Sequence, residues 1–193
     1  MKKIKTAALM VCMVIAGVGV YAQKGIELTV KYNGESDKYE VYGKPNFTQK
    51  DFLLGPSQIS LSLPASLADE KLRIFNLDGG AWEDNTIVYS PLANSQVDYH
   101  AISTLGAKTD LIEGNESLLF YFSLPKTVNP LDVKIFENGL DPNSSASGMK
   151  GGDFSNSLND ALAEEVYLGN YKEVKRAKPS TKEKEKSMFG LED

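Results

Sequence analysis

Apolar and polar residues alternate along much of the chain with a period of two. Ile26, Leu28, Val30 and Tyr32 alternate with Glu27, Thr29 and Lys31, and Ile59, Leu61 and Leu63 alternate with Gln58, Ser60 and Ser62. That period puts one set of side chains into a core and the other into water, which is the pattern of a half-buried strand. Further strands are predicted over 39–42, 71–76, 86–90, 97–105 and 131–136. The run from Leu118 to Leu124 is apolar apart from one serine, and its length and aromatic content fit a central strand better than a helix. Leu63-Pro64 and Leu124-Pro125 mark strand ends, because proline cannot donate to the ladder and biases its predecessor away from helix. Asp78-Gly79-Gly80 and Asn138-Gly139 supply the positive-φ tolerance of tight turns.

Short strands punctuated by turns, with no βαβ alternation, predict an all-β fold, an antiparallel β-sandwich of jelly-roll type. Residues 157–167 allow two readings, a short helix on Leu158, Leu162 and Val166 or a loop running into a last strand over 165–168. From about Lys172 the composition shifts to Lys, Glu, Pro and Ser, with too few apolar groups to offset the entropy of ordering. A flexible charged tail is expected over 172–193. Its end carries Met188, Phe189 and Leu191, read either as a docking peptide for another protein or as a frayed terminus.

The first residues change the setting. Lys2, Lys3 and Lys5 precede an apolar run from Ala7 to Val20, followed by Val20-Tyr21-Ala22, the layout of a signal peptide cleaved after residue 22. The run falls short of the ~20 apolar residues of a spanning helix, so no membrane insertion is expected after cleavage. Leu9-Met10-Val11 ahead of Cys12 lacks the small residue a lipidation signal needs. Cys12 is the only cysteine, so the exported part, residues 23–193, has neither a disulfide, a thiolate metal site nor a cysteine nucleophile. The fold therefore rests on its core, which a domain over 23–171 is long enough to build. That stretch carries 11 basic and 21 acidic residues, a net charge of −10. Such a surface repels a phosphate backbone and argues against nucleic acid or an anionic membrane as partner.

Tyr39-Glu40-Val41-Tyr42, Lys44-Pro45-Asn46-Phe47 and the stretch from Leu54-Gly55-Pro56 to Leu61 are similar to the early strands of cohesin-like modules in secreted Bacteroidota proteins. Phe136 to Pro142, Ser144 to Gly148 and Gly151-Gly152-Asp153-Phe154 also resemble such modules, and the likeness spans about Ile26 to Asn170. The resemblance implies a jelly-roll sandwich of the cohesin and carbohydrate-binding-module type outside the cell. A cohesin holds a dockerin against one sheet face, but no dockerin is in view here, and that partner is not carried over.

Several constellations invite chemistry. His100 with Ser103 or Ser90 and Asp98 sketches a hydrolytic triad, yet no Gly-x-Ser-x-Gly elbow accompanies it, and a surface or edge histidine is the plainer expectation. Glu83 with Asp84, or Glu113 with Glu116, offers a glycosidase-like carboxylate pair, but an acidic chain supplies such pairs freely as a solvated face. Glu137, Asn138, Asp141, Asn143, Ser145 and Asp153 gather hard oxygen ligands of the kind calcium takes, although Ala146 and Gly152 break the EF-hand spacing. Trp82, Tyr42 and Tyr99 are candidates to stack on a glycan or meet a partner, while Trp82 equally suits a plug at the sandwich end.

These readings converge on an exported, non-catalytic module of the periplasm, cell surface or extracellular space. It is expected to act by protein–protein contact in adhesion or matrix assembly; the alternative is a stand-alone carbohydrate-binding module. Calcium is the one cofactor considered.

Overall fold

The computed structural model describes residues 23–150 and 152–172. The signal peptide expected over 1–22 and the docking residues Met188, Phe189 and Leu191 of the expected tail lie outside the described residues. Strands are β1 (Ile26–Asn33), β2 (Lys38–Pro45), β3 (Gln49–Leu54), β4 (Ser57–Pro64), β5 (Phe75–Asn76), β6 (Glu83–Val88), β7 (Val97–Thr104), β8 (Ala107–Leu111), β9 (Ser117–Phe122), β10 (Lys134–Ile135) and β11 (Tyr167–Asn170). A single 3-10 turn, Pro130–Asp132, is capped by Asn129, whose side chain accepts from the Leu131 N–H. Among the described residues no helix is long and apolar enough to cross a membrane.

The strands form an all-β sandwich. One sheet has the order β11-β1-β2-β9-β5, the second β10-β4-β7-β6, and the hairpin-like pair β3-β8 stands apart. Alternation explains the core: Ile26 and Leu28 of β1, Tyr39 and Val41 of β2, and Phe120 and Phe122 of β9 face Ile59, Leu61 and Leu63 of β4 and Ile102 of β7. Phe52, Leu54, Ala107 and Leu111 extend that core from β3 and β8. Each fully buried Leu, Ile or Phe contributes roughly 1.5–3 kcal/mol, which is what a cysteine-free domain relies on.

The structure departs from the sequence pattern in two respects and decides one open alternative. β11 pairs with β1 in parallel, whereas every other strand pairing is antiparallel. Of the two readings for 157–167, the structure has the loop that runs into a last strand, β11, and no helix; Gln58 bridges Ser157, and Leu54 bridges Asp160, so the segment lies along β3 and β4 as isolated bridges. Gly55 permits that approach, since a Cβ there would stand 2.4 Å from the Asp160 carbonyl oxygen. The strand predicted over 71–76 shrinks to β5, and that over 131–136 to β10.

The four-stranded sheet is covered on both faces. Its outer face carries Tyr99 and Ala101, which pack with Phe136, Met149 and Phe154 into a second, smaller core. The segment over 136–156 thus lies across that sheet as a lid of irregular chain, fastened by asparagines. Asn156 is buried; its Oδ1 accepts the Ser60 N–H at 2.8 Å and its Nδ2 donates to the Phe136 carbonyl at 2.6 Å. Asn138 bonds the Asn156 main chain from both sides, donating to its carbonyl and accepting from its N–H.

Candidate functional site

With one face of the four-stranded sheet under that lid, the outer face of the five-stranded sheet is the broad surface left open. Register defines what it displays. Lys31 of β1 stands opposite Glu40 of β2, Glu40 opposite Tyr121 of β9, and Tyr121 opposite Phe75 of β5. At about 4.8 Å per strand this row spans roughly 14 Å across the sheet. Along β2 the same face carries Lys38, Glu40, Tyr42 and Lys44, because the buried positions Tyr39 and Val41 alternate with them. A bulge between Val41 and Tyr42 shifts the β9 register, so Leu118 joins the outer face beside Tyr42 while both Leu119 and Phe120 are buried.

The face is a connected network. The Tyr42 hydroxyl donates to Glu40 Oε2 at 2.7 Å, and the other oxygen of Glu40 accepts from Asn33 Nδ2 at 3.0 Å. Partial burial, reinforced by that bond to Glu40, pushes the Tyr42 phenol up to about 12. Lys31 Nζ lies 5.6 Å from the Tyr42 ring centre and pairs with Glu116 at 2.8 Å, while the Tyr171 hydroxyl donates to the other Glu116 oxygen at 2.6 Å. Burial raises the Glu116 carboxyl, but the bonds from Lys31 and Tyr171 outweigh it and hold the group below its ordinary range. Lys44 Nζ stands 5.4 Å from the Tyr171 ring. At the β5 end, Phe75 stacks on Tyr121 with centroids 5.1 Å apart and planes 5° apart. Lys38 Nζ and Arg73 Cζ lie 4.8 and 4.9 Å from the Phe75 centroid. Four half-buried rings with cations and hydrogen-bonding oxygens between them make a floor held in place before any ligand arrives.

Of the aromatic candidates from the sequence, only Tyr42 is on this face. Trp82 is 1% exposed and packs on Phe120 at 5.3 Å, and Tyr99 is fully buried against Phe136 and Phe154. Neither presents a ring to a glycan: Trp82 fills the core, and Tyr99 anchors the lid. Phe75, Tyr121 and Tyr171 were not singled out as a group, since Phe75 lies on β5, Tyr121 on β9 and Tyr171 just past the end of β11.

The oxygen-rich loop does not close into one cage. Asp141 Oδ2 accepts the Glu137 N–H, Asn138 is engaged by Asn156, and Asn143 bonds Asp153, Ser155 and the Phe154 N–H. Asp153 also accepts the Ser155 N–H, and these bonds hold its carboxyl below the ordinary range. Of the six residues named for calcium, Asn138, Asp141, Asn143 and Asp153 spend side-chain atoms on main-chain groups of separate turns, and the Glu137 carboxylate faces Lys172 at 3.6 Å. Among the described residues no three His, Cys, Asp or Glu side chains gather as a metal cluster.

His100 is not at the surface. It is 3% exposed, faces the main core, and its Nδ1 lies 2.8 Å from Asp84 Oδ2, which also accepts the Leu72 N–H. The edge of its ring meets Tyr89. The sketched partners go elsewhere: Asp98 accepts the Ser90 N–H, and Ser103 accepts from Asn85. Neither carboxylate pair faces across a cleft, since Asp84 is buried with His100 while Glu83 is exposed, and Glu116 is tied to Lys31 and Tyr171 while Glu113 is exposed.

Comparison with protein-family models, with curated proteins and with solved structures finds no match for this chain.

Proposed function

We propose that this chain is an exported binding module that recognises a polysaccharide at or outside the cell surface through the outer face of its five-stranded sheet. The observation that carries the reading is the row Lys31–Glu40–Tyr121–Phe75, with Tyr42 beside it: ring faces and fixed hydrogen-bonding groups on one open, nearly flat surface. Sugars offer such a surface apolar C–H faces to set on rings, and hydroxyls to exchange with carboxylates and phenols. The rings already carry cations on them and the carboxylates are already bonded, so little ordering entropy is lost when a ligand docks.

Affinity electrophoresis of the purified protein through gels containing soluble plant, algal and bacterial polysaccharides tests this. At least one polymer should retard the wild type, and Tyr42→Ala combined with Tyr121→Ala should abolish the retardation while far-UV circular dichroism stays β-rich. Migration unaltered by every polymer, or retardation indifferent to both tyrosines, refutes the reading.

One observation favours protein–protein contact instead. β11 pairs only with Ile26 to Leu28, so on that side the remainder of β1 has no strand partner among the described residues, and a cleft of about 290 Å³ lined by Val30, Leu131, Val133 and Tyr171 lies alongside. An added strand can pair there. Val30→Pro removes an N–H from that edge, and loss of a purified partner with this variant alone is the result that reading requires.

A further inference from the structure

We infer that Phe75, Tyr121, Lys38 and Arg73 form a subsite for a carboxylate-bearing sugar, so that the polymer bound is a uronic-acid polysaccharide. This rests on the polysaccharide reading above and specifies its ligand.

Over 23–171 the chain is strongly acidic, yet four of the five cation–ring contacts among the described residues fall on this one face. Two of them share a ring. Lys38 and Arg73 both stand within 5 Å of the Phe75 centroid, so their charges lie no more than about 10 Å apart, where repulsion is weakened but not abolished at a Debye length of about 8 Å. The ion pairs of the described residues include neither of them. Lys38 Nζ donates to the Ser123 hydroxyl at 2.7 Å, and Asp37, whose charge Lys38 also feels, is engaged by the Tyr32 hydroxyl and Lys126. An anionic group set between the two cations relieves their repulsion and gains charge-assisted hydrogen bonds, with the guanidinium of Arg73 able to hold a carboxylate by two of them.

The floor fixes the rest of the ligand. Phe75 and Tyr121 stack on one another, one on the two-residue edge strand and one on its neighbour, and set an apolar pair of rings next to the cations. A pyranose ring with a carboxyl substituent matches both parts at once. A polyanion without an apolar ring, such as polyphosphate, matches only the cations and leaves the Phe75–Tyr121 stack unused. Carboxylates on hydroxyl-rich rings suit a face where two cations share one aromatic ring at its β5 end.

The test uses the full chain with polygalacturonate and its fully methyl-esterified form, which share one backbone and differ in charge. Polygalacturonate should bind the more tightly, with affinity falling as salt rises. Arg73→Ala and Lys38→Ala should each weaken that binding about tenfold, and Phe75→Ala should abolish it. Tyr42→Ala should weaken both polymers alike. If the esterified polymer binds equally and the Arg73 and Lys38 variants match wild type while Tyr42→Ala still fails, the anionic subsite is wrong and the polysaccharide reading survives. Equal binding of polyglutamate through the same four residues overturns the sugar in favour of an acidic protein. Arg73 is exposed on a short edge, so its variants fold, and Arg73→Lys should retain part of the affinity that Arg73→Ala loses.

Discussion

Asn156→Ala is expected to be far more costly than a typical loop substitution. The side chain is 2% exposed and serves two main-chain groups that the strand ladder leaves over: it accepts from the Ser60 N–H at 2.8 Å and donates to the Phe136 carbonyl at 2.6 Å. Truncation strands the Ser60 N–H in a dry environment, at about 1–3 kcal/mol for a buried donor without a partner. The Phe136 carbonyl retains Asn170 Nδ2 at 2.9 Å, so that side loses only one of two bonds, about 0.5–1.5 kcal/mol. The total is about 2–4 kcal/mol, read as a fall in the midpoint of urea unfolding with unchanged slope. Asn156→Asp is a sharper variant of nearly the same shape. It keeps an acceptor for Ser60 but sets an anionic oxygen against the Phe136 carbonyl, so it too should destabilise. Asn85→Ala, which removes an exposed bond to Ser103 Oγ, should cost no more than about 0.5 kcal/mol. A loss under about 1 kcal/mol for Asn156→Ala would refute the idea that asparagine bonds fasten the lid, and leave its attachment to Phe136, Met149 and Phe154 alone.

His100→Leu leaves the Asp84 carboxylate buried with only the Leu72 N–H, and should cost about 3–5 kcal/mol in urea unfolding; adding Asp84→Leu should recover most of that loss. Burial raises the Asp98 carboxyl above its unfolded value, so the folded state holds that proton more tightly. Stability from this group is therefore full below the unfolded pKa and is lost as pH rises through the higher folded one. Asp98→Asn keeps the acceptor for the Ser90 N–H without the charge, so its melting temperature should exceed wild type at neutral pH and converge with it in strong acid.

Much of the sandwich was legible because burial on one face writes itself into the sequence as alternation. β1 carries it plainly; β4 shows the alternation too, but its Ser60 and Ser62, expected in water, are buried under the lid, and the aromatic run of β9 is an internal strand between β2 and β5 as its composition implied. β3 and β8 were not legible. Gln49-Lys50-Asp51 is exposed, and Ala107 to Leu111 has only two apolar residues, so both strands exist through pairing with each other across some fifty residues of chain. The face proposed for binding was legible at Tyr42. In β9 the bulge puts two consecutive residues, Leu119 and Phe120, inside, and a period of two therefore cannot tell which way Tyr121 points. Phe75, Lys38 and Arg73 meet it from distant parts of the chain, and nothing local marks them as neighbours. The loop over 137–153 misled for a related reason: its oxygens are the right kind for a cation, but main-chain N–H groups reach them first.

The parallel seating of β11 beside β1 has a mechanical meaning. Tension applied between Gln23 and Lys172 drags the two strands lengthwise past one another, since the pull leaves β1 at its start and β11 at its finish. The bonds from Ile26 N–H to the Val166 carbonyl and from Tyr171 N–H to the Leu28 carbonyl are then loaded together in shear, rather than peeled in succession. A domain tethered by its two ends would thus resist extension at the very seam where its chain begins and closes.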